Sequence, residues 1–349
     1  MAQSQRGKKF LKNCRYKDMS SNIEIIAEVA QGYEGNEKLS DLLTTAAINS
    51  GADSVKFQLV FADELATPDY KWYDLFKILE MDEAVWQGLA RRIHDNNQLL
   101  YFDVFGFKSL EAAKRIGSDG VKLSTTEFYN IDLMKEALKT FDKVIISVGG
   151  IPESDIDEVV QGLLRHYKEK ICLIYGFQAE PTPLDQNNLL KLRTLSDKYP
   201  DFKLGFMDHS DGANSDAYNL SLVALGLGVN VIEKHITLDR SLEIEDYVSG
   251  LSPDNFIQFS YQIKRYAQAL GQSSLELTDL EVEYRNKAVK LVVATHDIAA
   301  GTVITKDDVA LKRSGKEMTG TPIRSLDEIL GETVNVDISV NNPVYKAQL

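Results

Sequence analysis

Cysteine is almost missing from this chain: Cys14 and Cys172 are its two thiols in 349 residues. Two cysteines cannot build a disulfide framework, and their separation is unlike that of a zinc ribbon, so a reducing compartment, the cytoplasm, is expected. Cations are in short supply as well. With 39 Lys and Arg against 52 Asp and Glu, the chain carries a net charge of −13. That balance disfavours nucleic acid and acidic membrane surfaces, which recruit clustered Lys and Arg. No apolar run reaches the ~20 residues of a membrane span. Residues 1–20 are polar and basic through Arg6, Lys8, Lys9, Lys12, Arg15 and Lys17; they do not resemble a signal peptide and read as a lead-in. Histidine is scarce too, with five in all, so the position of each carries information.

What the chain does have is 44% hydrophobic residues, enough for a full core and suggestive of two domains. Eight short runs rich in Val, Ile and Leu recur: 23–29, 53–59, 99–105, 119–124, 143–148, 171–177, 203–208 and 230–235. Runs without clean alternation are those of strands covered on both faces, which favours a parallel sheet. Helical periods lie between them. Leu39, Leu42, Leu43, Ala46 and Ala47 share one face before Gly51; Val85, Leu89 and Ile93 repeat the pattern, as do Ile156, Val159, Val160, Leu163 and Leu164. Phe256, Phe259, Ile263, Tyr266 and Leu270 supply a closing helix.

Eight βα units over 23–271 match the roughly 250 residues of a closed (β/α)₈ TIM barrel, with an open doubly wound sheet as the alternative. Beyond Gly271 a polar, acidic stretch leads to three strand-like pieces, KLVVATHDI, TVITKDDVALKR and TVNVDISV. The expected division is a lead-in over 1–20, a barrel over 21–272, a linker over 273–286 and a small β-rich domain over 287–349.

In such a barrel the C-terminal strand ends form the active face, so polar residues that close the runs matter most. They are Glu28, Lys56 with Gln58, Lys122 with Thr125 and Glu127, Ser147 before Gly149 and Gly150, Gln178, Asp208 with His209, and His235 followed by Glu245 and Asp246. His209 and His235 close consecutive strands and bring two imidazoles within reach of one ion. His94, His166 and His296 fall on helical or peripheral segments. Two ammonium groups at one mouth, Lys56 and Lys122, repel unless an anion lies between them, which implies a phosphate or carboxylate substrate. The other reading of the lysines is a pair of salt bridges, to Glu28 and Glu127.

At these residues the chain resembles the sialic acid synthase family, which condenses phosphoenolpyruvate with an N-acylated hexosamine to give a nonulosonic acid and phosphate. The matching motifs are AEVAQGYEGN at 27–36, VKFQ at 55–58, VKLSTTE at 121–127, IISVGG at 145–150, GFQAEPTP at 176–183, DHSDG at 208–212 and IEKHITLDRSLEIEDY at 232–247. DIAAGTVITKDDVALKRSG at 297–315 resembles that family's antifreeze-protein-like (SAF) domain, a β-clip. The resemblance implies that His209 and His235 hold a divalent ion, manganese or magnesium. It places Lys56, Lys122, Thr125, Ser147 and Gln178 on phosphoenolpyruvate, Gln58 and Asp246 on an amino-sugar aldose, and Glu28 by the reacting carbons. Glu127 and Asp208 join the substrate-binding set. Arg313 would reach the active site of the partner in a domain-swapped homodimer. Nonulosonic acids of this kind go into capsule or surface polysaccharide.

The chain departs from the family pattern at Gly32 and Tyr33, where an Asn-His pair is usual, and at Met207, Gln178 and Glu180, which replace Ser, Asn and Tyr. Several of these touch the acceptor side. Two alternatives therefore stand beside the main reading: a phosphoenolpyruvate-dependent 3-deoxy-ulosonate synthase with another aldose, and a catalytically degenerate sugar-binding barrel.

Overall fold

Residues 23–349 are described by a computed structural model; the lead-in over 1–20 and Cys14 lie outside the described residues. Each of the eight apolar runs forms a strand. They are β1 (Glu24–Ala30), β2 (Ser54–Gln58), β3 (Leu99–Asp103), β4 (Gly120–Leu123), β5 (Val144–Ser147), β6 (Ile171–Tyr175), β7 (Lys203–Asp208) and β8 (Val231–His235). All pair in parallel, and β1 closes on β8. The sheet is the expected closed barrel, not an open one.

The connecting helices are α1 (Glu37–Asn49), α2 (Ala62–Leu65), α3 (Tyr73–Ile78), α4 (Glu83–Asp95), α5 (Phe107–Ile116), α6 (Ile131–Thr140), α7 (Glu153–Gly162), α8 (Leu190–Lys198), α9 (Asp216–Gly226) and α10 (Pro253–Ala267). Local chemistry sets their starts. The Asn36 side chain accepts from the amides of Lys38 and Leu39 to cap α1, and Asn130 caps α6 through Leu133. Helix α4 buries Trp86, Leu89 and Ile93 against the sheet, α10 buries Phe256, Phe259 and Ile263. Each such side chain contributes about 1.5–3 kcal/mol of transfer free energy. Tyr266, expected on that buried face, is instead exposed.

Period two sorts the strands into an outward face packed under the helices and an inward face filling the barrel. The inward residues form three levels. At the bottom the Tyr101 hydroxyl donates to Glu24 (2.8 Å) and accepts from Lys143 (2.8 Å), with Lys143 and Glu24 in direct contact. Ile26, Ile145, Cys172, Ile174, Met207 and Val231 make the apolar middle. Burial pushes the Cys172 thiol up to about 12, so it is a packing residue and no nucleophile. The top level is charged.

A second compact unit begins at Ser274. Its helix α11 (Asp279–Ala288) opens on a capping box, Thr278 with Glu281. Strands β9 (Leu291–Ala294) and β10 (Val309–Lys312) pair antiparallel over a core that includes Val292, Ile298, Ile304, Val309 and Ile338. The third strand-like piece, 333–340, pairs only through isolated bridges, Val303 with Thr333 and Ile298 with Ile338. Among the described residues no helix is long and apolar enough to cross a membrane.

Candidate active site

Glu28, Lys56, Asp103, Lys122, Glu233 and His235 stand two residues beyond inward-facing positions or share their parity. They therefore crown the barrel at the C-terminal ends of β1, β2, β3, β4 and β8. All six are buried. An isolated ion at this depth costs several kcal/mol, so five charged groups persist only as a network. Lys56 touches Glu28 and lies 2.9 Å from Asp103 and 3.7 Å from Glu233. Lys122 lies 2.6 Å from Glu233 and 3.9 Å from Asp103. Three carboxylates against two ammonium groups leave one negative charge in excess when all are ionised.

Sequence reasoning missed Asp103 and Glu233. Carboxylates, not an open gap, separate the two lysines, and the partner of Lys122 is Glu233 in place of the expected Glu127. The signal was available for Glu233, which sits two residues before His235 and so shares its face.

The network sorts its acids. Burial, helped by Glu233 and Asp103 and opposed by Lys56, raises Glu28 to about 7. Burial also works against ionisation of Glu233, but Lys122 and Lys56 overcome it and bring the group down to about 2. Burial works against the Lys56 charge, and Asp103, Glu233 and Glu28 more than restore it, leaving the ammonium well above its ordinary value. Glu28 is thus placed to exchange a proton near neutrality. A kink in β1 at Ala30 helps to hold it, since the Ala30 amide donates to its carboxylate at 2.6 Å.

His209 follows β7, and its ring centroid is 5.2 Å from that of His235. Burial keeps both imidazoles neutral, His235 down to about 3 and His209 well below its usual value. Each Nδ1 is buried without a hydrogen-bond partner. Two neutral imidazoles with unpartnered nitrogens fit a divalent cation. Among the described residues no group of three or more His, Cys, Asp or Glu is arranged around an ion position. His209 and His235 are the two groups here that could hold such an ion.

The opposite wall is neutral and tight. The Thr125 hydroxyl lies 2.9 Å from the Ser147 hydroxyl and donates to Gly149 O at 3.0 Å. A Cβ on Gly149 would fall 1.6 Å from Gly176 O, and one on Gly176 (φ +145°) would fall 2.2 Å from Met207 O. The ends of β5, β6 and β7 approach more closely than any side chain permits. At the rim Gln178 donates to Glu180 (2.5 Å) and Asp246 (2.9 Å), and burial raises both acids. Across the mouth Gln31 donates to Gln58 at 2.7 Å. The whole encloses a cavity of about 440 Å³.

Nine of the expected residues line this cavity: Glu28, Lys56, Gln58, Lys122, Thr125, Ser147, Gln178, His209 and His235. Asp246 does not line it but reaches its wall by accepting from Gln178 and from the Gln31 backbone. Asp208 has the opposite parity and points outward, where it accepts from Ser210 and Ser221 and lies 3.3 Å from Lys234. Glu127 is turned to Asn130, whose amide it accepts at 2.9 Å. Arg313 belongs to the second unit, where its Nε donates to Ala288 O. Tyr33 is fully buried, edge-on to Trp86 and Phe57, and its hydroxyl donates to Gln58 O. At Gly32 a Cβ would meet Val29 O at 3.0 Å. The departure at 32–33 is thus a matter of wall packing.

Residues 43–274 match the NeuB family, and residues 289–349 match the SAF domain. The chain belongs to the NeuB family. Relatives include the N,N'-diacetyllegionaminic acid synthase of Campylobacter jejuni, 26% identical over 88% of this chain and 94% of that protein. The pseudaminic acid synthase of the same species is 25% identical over 93% of this chain and 96% of its own length. Among solved structures, the N-acetylneuraminic acid (sialic acid) synthetase of Leptospira borgpetersenii, in complex with citrate, superposes with a TM-score of 0.70 at 27% identity. The match covers 77% of this chain and 93% of that one. The resemblance drawn from the motifs and the barrel-plus-SAF architecture agree with these matches.

Proposed function

We propose that this NeuB-family chain is a transferase that condenses phosphoenolpyruvate with an amino-sugar aldose to give a nonulosonic acid and phosphate. The observation that carries the reading is the convergence, in one cavity, of the Lys56 and Lys122 network, the paired neutral imidazoles and the Thr125, Ser147 and Gly149 wall. Phosphoenolpyruvate would lie with its anionic groups toward Lys56, Lys122, Thr125, Ser147 and Gln178, and the aldose toward Gln58 and Asp246. The charge count explains why the two halves of the site work together. With Glu28 ionised the cluster is one charge negative and accepts a multiply charged anion only with an added cation, and His209 and His235 are the residues that would hold it.

His209 and His235 would hold a divalent ion, manganese or magnesium, which would supply Lewis acidity toward the acceptor's aldehyde. In the reaction, carbon three of phosphoenolpyruvate bonds to the aldehyde carbon and water adds at carbon two. Phosphate then leaves with cleavage of its carbon–oxygen bond. Glu28 takes the proton of the adding water, a role suited to a carboxyl raised to about 7. Lys56, beside it, holds the carboxylate once the proton has gone. The acidic rim of Glu180, Asp246 and Glu245 offers acceptors to the hydroxyl and amide donors of such an aldose, and the departures at this rim leave room for an acceptor other than N-acetylmannosamine. The same reading carries a cytoplasmic, domain-swapped homodimer, each copy's Arg313 serving the other's cavity, and a product used in surface polysaccharide.

The test is phosphate release from phosphoenolpyruvate, with and without manganese or magnesium, across 2-acetamido and 2,4-diacetamido aldoses. Metal-dependent release with at least one acceptor is expected. Absence of release with every acceptor would favour the degenerate barrel.

A further inference from the structure

A second cavity, of about 630 Å³, lies between α7 and α8, outside the barrel mouth. Its size falls within the roughly 300–1,000 Å³ of small-molecule pockets. The apolar lining comes from buried side chains: Val148 beyond β5, Tyr175 on β6, Ile156 on α7 and Leu195 on α8. One end is clasped by Lys198, which touches Glu153, lies 2.5 Å from Asp157 and so ties α8 to α7. Tyr199 reinforces that end with a 2.7 Å hydrogen bond to Asp157.

The other end holds Lys191, in the first turn of α8. Its ammonium sits 5.6 Å from the Tyr175 ring centroid, and no carboxylate pairs with it among the described residues. Lys191 combines an ammonium without a carboxylate, an aromatic ring and the lip of a cavity with buried apolar side chains in its lining. This provides one anion partner and, beside it, an apolar surface on Tyr175, Ile156 and Leu195. Gly150 lines this cavity and the active-site cavity alike, so the turn Val148–Pro152 is a wall common to both. Nothing in the proposed chemistry uses the outer side of that wall.

We propose that the cavity between α7 and α8 is a second ligand site, for a small monoanion with an apolar body, which pairs with Lys191 and packs on Tyr175 and Leu195. Binding there requires nothing of the reaction proposed above. The test uses the full chain and 8-anilinonaphthalene-1-sulfonate, an apolar monoanion, followed by fluorescence titration. Lys191 and Thr194 are both exposed on α8 and at the cavity lip, so Lys191→Gln and Thr194→Trp leave the fold intact, as near-ultraviolet circular dichroism will verify. Saturable binding is expected, weakened about tenfold in Lys191→Gln, abolished in Thr194→Trp and undisturbed by excess phosphoenolpyruvate. The proposal is overturned by absence of saturable binding, by equal binding in both variants, or by displacement with phosphoenolpyruvate, which would place the probe in the main cavity.

Discussion

Replacing Glu233 by Gln isolates the feature that distinguishes this site in three dimensions from its appearance in one. Glu233 lies 2.6 Å from Lys122 and 3.7 Å from Lys56, with all three side chains at most 5% exposed. Gln keeps the volume and one acceptor but removes the charge. Four charges then remain, Lys56, Lys122, Glu28 and Asp103, and Lys122 is left with Asp103 at 3.9 Å as its nearest carboxylate. Breaking a buried pair from one side costs about 3–5 kcal/mol, because the surviving ion keeps its desolvation penalty. For a unit of this size that lowers Tm by roughly 6–20 °C. The measurement is urea and thermal unfolding with EDTA present, so that no metal contributes. Glu127→Gln is the control: the carboxyl accepts only from neutral groups, the Asn130 amide and Thr126, and the change stays within about 1 kcal/mol. If Glu233→Gln unfolds like the wild type while Glu127→Gln is strongly destabilised, Lys122 is paired as the sequence suggested and the network described here is wrong.

Further outcomes concern the site itself. His235→Ala should abolish the metal response of phosphate release with an unchanged far-ultraviolet spectrum; activity that still depends on metal would remove His235 from the ion. Gly149→Ala forces a Cβ to within 1.6 Å of Gly176 O, so the wall must move; a stability loss of at least about 1–3 kcal/mol and a raised KM for phosphoenolpyruvate are expected, and a normal KM would show that the turn plays no part in binding. Thr125→Val deletes the hydroxyl that joins Ser147 to Gly149 O and should raise KM about tenfold or less with kcat little changed, as steady-state kinetics will show. Arg313→Ala should lower turnover without changing barrel stability, and a wild-type rate would take the second unit out of the reaction.

The amino-acid sequence by itself determined the barrel and the whereabouts of its mouth. Eight apolar runs at helix-separated intervals admit few architectures, because a strand buried on both faces needs helices over it and neighbours beside it. The two histidines and two lysines were visible as polar residues closing those runs. Only the tertiary structure decided the pairing of charges. Lys122 and Glu233 are 111 residues apart and meet because closure of the sheet sets β4 and β8 across one interior. Closure also lays β1 against β8, so that Glu28 registers with His235. Asp208 shows the other limit: it ends a strand beside His209, yet period two turns it outward to Lys234. Strand position could be read along the chain, but which face looks inward and which ions share a dry space are properties of the closed barrel.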